Sequence, residues 1–438
     1  MRLQYEKLIE RQIFMIKKLS VLLLTVLLLS NVPLTYAHSA EASAKKWTIM
    51  VYSNADNNLD ADLVNDVIEM QRAGTSESVN VVVEIDRLDK PARRYCVTER
   101  SSESAPDDWG FSCKKLEELG EVDMGDMKEL VKFVKWAHEK YPAGKYMLII
   151  QNHGYGWKKK KKSADFRGIS YDDQSGHNLS NKELGAAMQM ICTILGKRLD
   201  IFGTDACLMQ MLEVNYEIKD FVNFVVASEE NIPGPGWPYE MIFGPLMKNP
   251  QISPKEFASM IPQAFCESYK NDSKNSTAMS SVDCSRVGEL AEAVDLLAEA
   301  YIESAGDSAE IASVKAALNG AQKFYDRTSV DIGHLMKRII ENSKNEKIIE
   351  RARLVLMAYQ KAVFENATSG TATRNASGMS IYFPTYHFNT CYNTIKFCGF
   401  RWDEFLKMAH KMTQCYGDEM YDPTASDADG ANGGWVSY

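Results

Sequence analysis

Two residues in this chain have the types and surroundings of a reactive pair. Cys207 lies in "GTDACLMQM" (203–211), where the strand-like run Leu199–Phe202 gives way to a helix-like run from Leu208. His153 opens "HGYG", directly after another strand-like run, 145–152. A thiol becomes a strong nucleophile when an imidazole assists its deprotonation, or when a helix N-terminus favours the thiolate. The sequence predicts both aids for Cys207, because a helix over 208–220 would begin at the next residue. Gly154 would let the backbone come close to a reacting carbonyl, and the N–H groups of Gly154 and Cys207 could bind a developing oxyanion. Taken alone, a cysteine after an apolar run is more often inert core. A lone histidine is more often a surface or hydrogen-bonded residue. Their joint placement at two strand ends is what favours chemistry. His177, in "SGHNL", is the rival imidazole, but no strand leads into its polar loop.

The elements that must position this pair alternate along the first part of the chain. Strands are expected at 46–52, 79–86, 145–152, 199–204 and 222–228, with helices at 59–74, 126–142, 181–195 and 208–220. Strands separated by single helices imply right-handed crossovers. The fold class is therefore α/β: a mainly parallel sheet with helices on both faces. In such sheets ligands bind beyond the carboxyl ends of the strands. The stretches found there are "SNADNN" (53–58), "HGYG" (153–156), "DAC" (205–207) and "EENIPGPGWPY" (229–239). Beyond residue 240 helical patterns dominate, interrupted by strand-like 276–284 and 378–384, one or two of which would join the same or an adjoining sheet. The expected organisation is a short linker (38–45), a catalytic core (46–240), a largely helical C-terminal half (241–415) and a flexible tail (416–438). "DADG" in that tail lacks the spacing of a calcium loop.

Of the 438 residues, 45% are hydrophobic and 25% charged, which is ordinary globular composition. A formal net charge of −9 argues against general nucleic-acid binding. Lys17 and Lys18, the apolar run Leu19–Leu29 and the small residues after it have the layout of a secretory signal, with Thr35 and Ala37 placed for cleavage after residue 37. The apolar run is well short of the roughly 20 residues that span a bilayer. The expectation is an exported protein (secreted, periplasmic or on the cell surface) with no stable membrane insertion once the signal is gone. Nine cysteines leave one unpaired if the rest form disulfides, and Cys96 with Cys113 and Cys391 with Cys398 are near enough in sequence to pair. No CxxC spacing occurs, which argues against structural zinc.

"QNHGYGW", "GTDACLMQMLEVNYE" and "ASEENIPGPGWPY", in that order, resemble the clostripain family of bacterial cysteine peptidases. That family shares the caspase-type fold with caspases, gingipains and legumains. The likeness covers roughly 46–240, with looser support to about 385. The 54 residues from His153 to Cys207 echo the caspase spacing; D-A-C in place of Q-A-C points to the clostripain branch. The resemblance implies that Cys207 is the nucleophile and His153 its general acid/base. It also makes Asp205 the acid of a pocket for Arg, and often Lys, at the cleaved bond. A carboxylate in a cleft suits a guanidinium, which it can bind bidentately. Glu229 or Glu230 would add to that pocket, or form a solvated pair. Trp237 and Tyr239 would wall it, or pack in the core. Partners would be proteins or peptides containing Arg or Lys.

Between the two residues lies "GWKKKKKSADFRGISYDD" (156–173). Lys158–Lys162 repel one another, so this loop should be exposed and mobile. The resemblance implies maturation by cutting within 157–172, into light and heavy chains that stay associated. Arg167, which stands alone beside a glycine, or one of the lysines such as Lys162, would donate the bond. No cofactor is required by the chemistry. Asp172 and Asp173 could ligate calcium, which assists some members of the family. Two other readings remain: a catalytically silent secreted binding module on the same fold, and a peptide ligase that shares the thioester intermediate.

Overall fold

The computed structural model describes residues 44–101, 105–158, 168–385 and 388–415. The signal segment, Lys162, Arg167 and the tail lie outside the described residues. The strands are β1 (Lys45–Ala55), β2 (Val79–Arg87), β3 (Lys90–Arg100), β4 (Cys113–Gly120), β5 (Ala143–Gln151), β6 (Gly168–Ile169), β7 (Leu179–Ser180), β8 (Leu199–Asp205), β9 (Val222–Ala227), β10 (Thr277–Asp283), β11 (Ser329–Asp331), β12 (Val363–Ser369) and β13 (Ser380–Tyr382).

Nine of them form one sheet in the order β12-β10-β9-β8-β5-β1-β2-β3-β4. The central five, β9-β8-β5-β1-β2, run parallel. An antiparallel pair extends each edge. Burial on both faces explains the near-continuous apolar runs of these strands; every position of β2 is buried. Alternation along β1 feeds two cores. Met50 and Tyr52 face the helices at 127–140, 181–195 and 212–218. Ile49 and Val51 face those at 60–72, 239–248 and 254–268. The mainly parallel α/β fold expected from the sequence is the one observed.

Several elements depart from expectation. β3 and β4 were not anticipated, because "KPARRYCVTER" puts two arginines in a strand. Both are buried: Arg94 pairs with Glu84 at 2.6 Å and Glu117 at 2.8 Å, and Arg93 pairs with Asp108 at 2.6 Å and Glu118 at 2.9 Å. The helix at 346–362 passes directly into β12, so its helical pattern hides a strand. β10 and β12 join the large sheet, whereas β13 pairs with β11 outside it. Cys96, Cys113, Cys391 and Cys398 are free thiols, so neither expected disulfide is present. Among the described residues no helix is long and apolar enough to cross a membrane.

Candidate active site

The pair is positioned by β5 and β8, adjacent parallel strands whose ends are in register, Gln151 opposite Asp205. His153 and Cys207 each lie two residues past those positions, off the same end of the sheet. Asn152 N–H donates to Asp205 O at 3.2 Å. Gly154 is required by the closeness of the two segments: a Cβ there would lie 2.5 Å from Cys207 O and 3.0 Å from Ala206 Cβ. The turn that follows β1, the strand on the other side of β5, supplies a third residue. Asn58 Oδ1 lies 2.8 Å from His153 Nε2 and accepts its proton, which leaves Nδ1 as the nitrogen able to act as base. "SNADNN" had marked this strand end, but nothing in the sequence tied Asn58 to His153.

Cys207 is not at a helix N-terminus. The helix begins at Leu212, and residues 206–209 form a turn in which Leu208 has φ +62°. The helix dipole, which fades within a turn, therefore does not favour the thiolate as expected. The thiol is instead held by the segment after β9, with Ile232 N–H donating to Sγ at 3.2 Å. Burial pushes the Cys207 thiol up to about 11; the Ile232 N–H pulls the other way, and the charges of Glu230 and Asp205 add to the rise. Burial pulls the His153 imidazole down to about 4. Both groups are neutral in this form, with the proton on sulfur.

The residues expected in the pocket divide. Asp205 is buried beneath the turn, its Oδ2 accepting from Trp237 N–H and Tyr239 O–H, each at 2.9 Å. Burial raises its carboxyl to about 6. Glu229 is buried, and its Oε2 accepts from Gly378 N–H at 2.8 Å, which ties the end of β9 to the C-terminal half. Glu230 is half-buried and accepts from Asn231 N–H at 2.8 Å and Tyr325 N–H at 3.1 Å. Trp237 is fully buried, and its ring would lie 2.8 Å from a Cβ on Gly203 of β8. Core packing therefore accounts for Trp237, and the expected pocket wall is corrected on that point.

The lysine tract is corrected at its first residue. Lys158 is buried, not exposed; it pairs with Asp326 and donates to Thr328 Oγ1 at 2.7 Å and Ser329 Oγ at 3.1 Å. The ammonium holds Asp326 below the usual carboxylate range although burial acts the other way. Asp172 is buried and Asp173 exposed; burial, and then the charge of Asp172, raises the carboxyl of Asp173.

The chain is 30% identical over 222 residues to clostripain of Hathewaya histolytica, an alignment that spans 45% of this chain and 42% of that protein. It thus covers less than half the length of this curated relative. An inactive zymogen C11 protease from Parabacteroides distasonis superposes with a TM-score of 0.63 at 17% identity, covering 82% of this chain and 98% of that one. A secreted C11 cysteine protease from Bacteroides thetaiotaomicron, in complex with an irreversible peptide inhibitor, gives 0.60 at 18% identity, covering 83% and 99%. At such identities the superpositions establish the fold. Residues 51–408 match the Peptidase_C11 model of the clostripain family, and the chain belongs to that family.

Proposed function

We propose that this protein is an exported cysteine endopeptidase that cleaves after Arg and Lys, with Cys207 as nucleophile and His153 as general base. The observation that carries this reading is the register of β5 and β8, which delivers both residues from the same sheet end with Gly154 packed against Cys207 O. His153 Nδ1 takes the thiol proton as sulfur attacks the scissile carbonyl. The oxyanion is met by the N–H groups of Gly154 and Cys207. The imidazolium returns its proton to the departing amine, and water then hydrolyses the thioester. The preference for basic residues is supported by charge. Asp205 and Glu230 both act on the Cys207 thiol and hold its proton in place. A guanidinium or ammonium seated beside them would be attracted and would offset that effect.

The same preference would make the tract between the pair a substrate, with Lys162 and Arg167 as bond donors, and would give light and heavy chains that stay together. Purified protein should hydrolyse fluorogenic peptides ending in Arg or Lys, and Cys207→Ala should abolish this. On a denaturing gel the wild type should run as two chains and Cys207→Ala as one. Activity confined to peptides ending in Asp or Leu would remove the pocket argument, and identical gels would remove self-processing.

A further inference from the structure

The loop 322–328 of the C-terminal half reaches back to the reacting thiol. Phe324 is buried with Leu208, Ala278 of β10 and Ala376, and Cys207 packs against this cluster. The next residue, Tyr325, is held by its backbone: its N–H donates to both carboxylate oxygens of Glu230 at 3.1 Å. Asp326 closes the loop. Its carbonyl accepts from Ser329 N–H at 2.8 Å, its carboxylate accepts from Thr328 N–H at 2.9 Å, and Lys158 pins it from outside. On this fixed backbone the Tyr325 side chain stands 68% exposed. A lone exposed aromatic needs no explanation. One whose backbone is fastened on both sides, next to a residue that packs with the reacting thiol, is placed as a recognition residue would be. Two cations flank it. Arg327 is exposed, and Lys323 is half-buried. Burial, and then the charge of Arg327, lowers the Lys323 ammonium. Among the described residues neither cation makes an ion pair.

The position of the loop says which part of a substrate it meets. β5, which leads into His153, lies on one side of β8, and β9 and β10 lie on the other. The imidazolium gives its proton to the departing amine, so the departing chain lies over β5 and the acyl chain over β9 and β10. We propose that Tyr325, Lys323 and Arg327 form the subsite for the two residues that precede the cleaved arginine: an aromatic next to it, and an acid before that. The inference rests on the peptidase reading above and names the class of peptide that this site takes. In an extended peptide successive side chains point to opposite faces. With the arginine turned down toward Asp205, the residue before it points outward, where its ring would lie against the Tyr325 ring. The residue before that turns back toward Lys323, where a carboxylate would pair with the half-buried ammonium. The chain carries such a sequence itself, in Asp165, Phe166 and Arg167. Lys159–Lys162 each follow another lysine, so the subsite would favour the bond after Arg167 over theirs.

The test uses the full-length wild-type protein and the acetylated fluorogenic tripeptides Asp-Phe-Arg, Asp-Ala-Arg and Lys-Phe-Arg. The first should be cut with a kcat/KM about tenfold above the second, mostly through KM. It should also exceed the third by about threefold at low salt, and that ratio should shrink toward one at about 1 M salt. Tyr325→Ala should bring the Phe-to-Ala ratio close to one, and Tyr325→Phe should keep it. The side chain is exposed, so neither change removes a core contact. Lys323→Gln combined with Arg327→Gln should abolish the preference for Asp over Lys while the Phe-to-Ala ratio stays in place. The subsite is overturned if the wild type cuts Asp-Phe-Arg and Asp-Ala-Arg equally, or if Tyr325→Ala keeps the wild-type ratio. A protein that cuts none of these arginine peptides overturns the peptidase reading itself, a result distinct from equal cutting.

Discussion

At the residue scale, the reacting pair rests with its proton on sulfur. With the thiol near 11, only about one Cys207 in ten thousand is thiolate at pH 7. Alkylation of Cys207 by iodoacetamide, followed on its own peptide by mass spectrometry, should therefore rise about tenfold per pH unit from 6 to 10. A plateau below pH 7 would mean that an ion pair already exists in the free protein. His153, near 4, is neutral throughout that range and contributes no step to the curve. Asn58 positions its ring, so Asn58→Ala should lower kcat by about 10- to 100-fold with little change in KM. Asn58→Asp should recover part of the loss, because a carboxylate oxygen can accept the same proton. The pair was legible in the sequence because each member follows closely on a strand-like run, although the equal offset of two residues emerged only from the strand register. The surroundings were not: whether Glu229 and Trp237 face a groove or the interior depends on Gly378 and Gly203, which only the fold brings to them.

At the scale of elements, the close approach of the segments after β5 and β8 is the critical geometry. Gly154→Ala would set a methyl group 2.5 Å from Cys207 O, against backbone that cannot swing aside. The expected cost is about 1–3 kcal/mol by thermal unfolding, with a larger proportional fall in kcat/KM as the two strand ends are forced apart. Trp237→Ala should cost about 3–5 kcal/mol, since a fully buried ring is removed from the core under β8. Periodicity revealed the central parallel strands because both their faces are buried, and the long amphipathic helices for the complementary reason. It missed β3 and β4, where Arg93 and Arg94 are buried only because acids on β2, β4 and the 105–112 turn meet them. It overran the start of the helix after Cys207 because "LMQM" is as apolar as the helix it precedes. Those four residues form a turn and its exit, held by Leu208 N–H on Glu230 O and Gln210 N–H on Ser228 O.

At the scale of the whole molecule, a cut within 159–167 would divide the large sheet between two chains. β1 to β5 would belong to the first; β8, β9, β10 and β12 would belong to the second. The seam is the β5–β8 ladder, buried on both faces. The processed protein should elute as one species from gel filtration in native buffer and as two in denaturant. Lys158 fastens the end of the first chain to the second through Asp326, so Lys158→Met should lower the unfolding temperature of the cut form more than that of the intact Cys207→Ala protein. The same anchorage limits how far trimming can proceed. A side chain enclosed by Asp326, Thr328 and Ser329 cannot be offered to a recognition pocket. Successive cuts should therefore leave a ragged terminus that stops short of this lysine, and intact-mass measurement of the first chain should find Lys158 followed by at least one more residue.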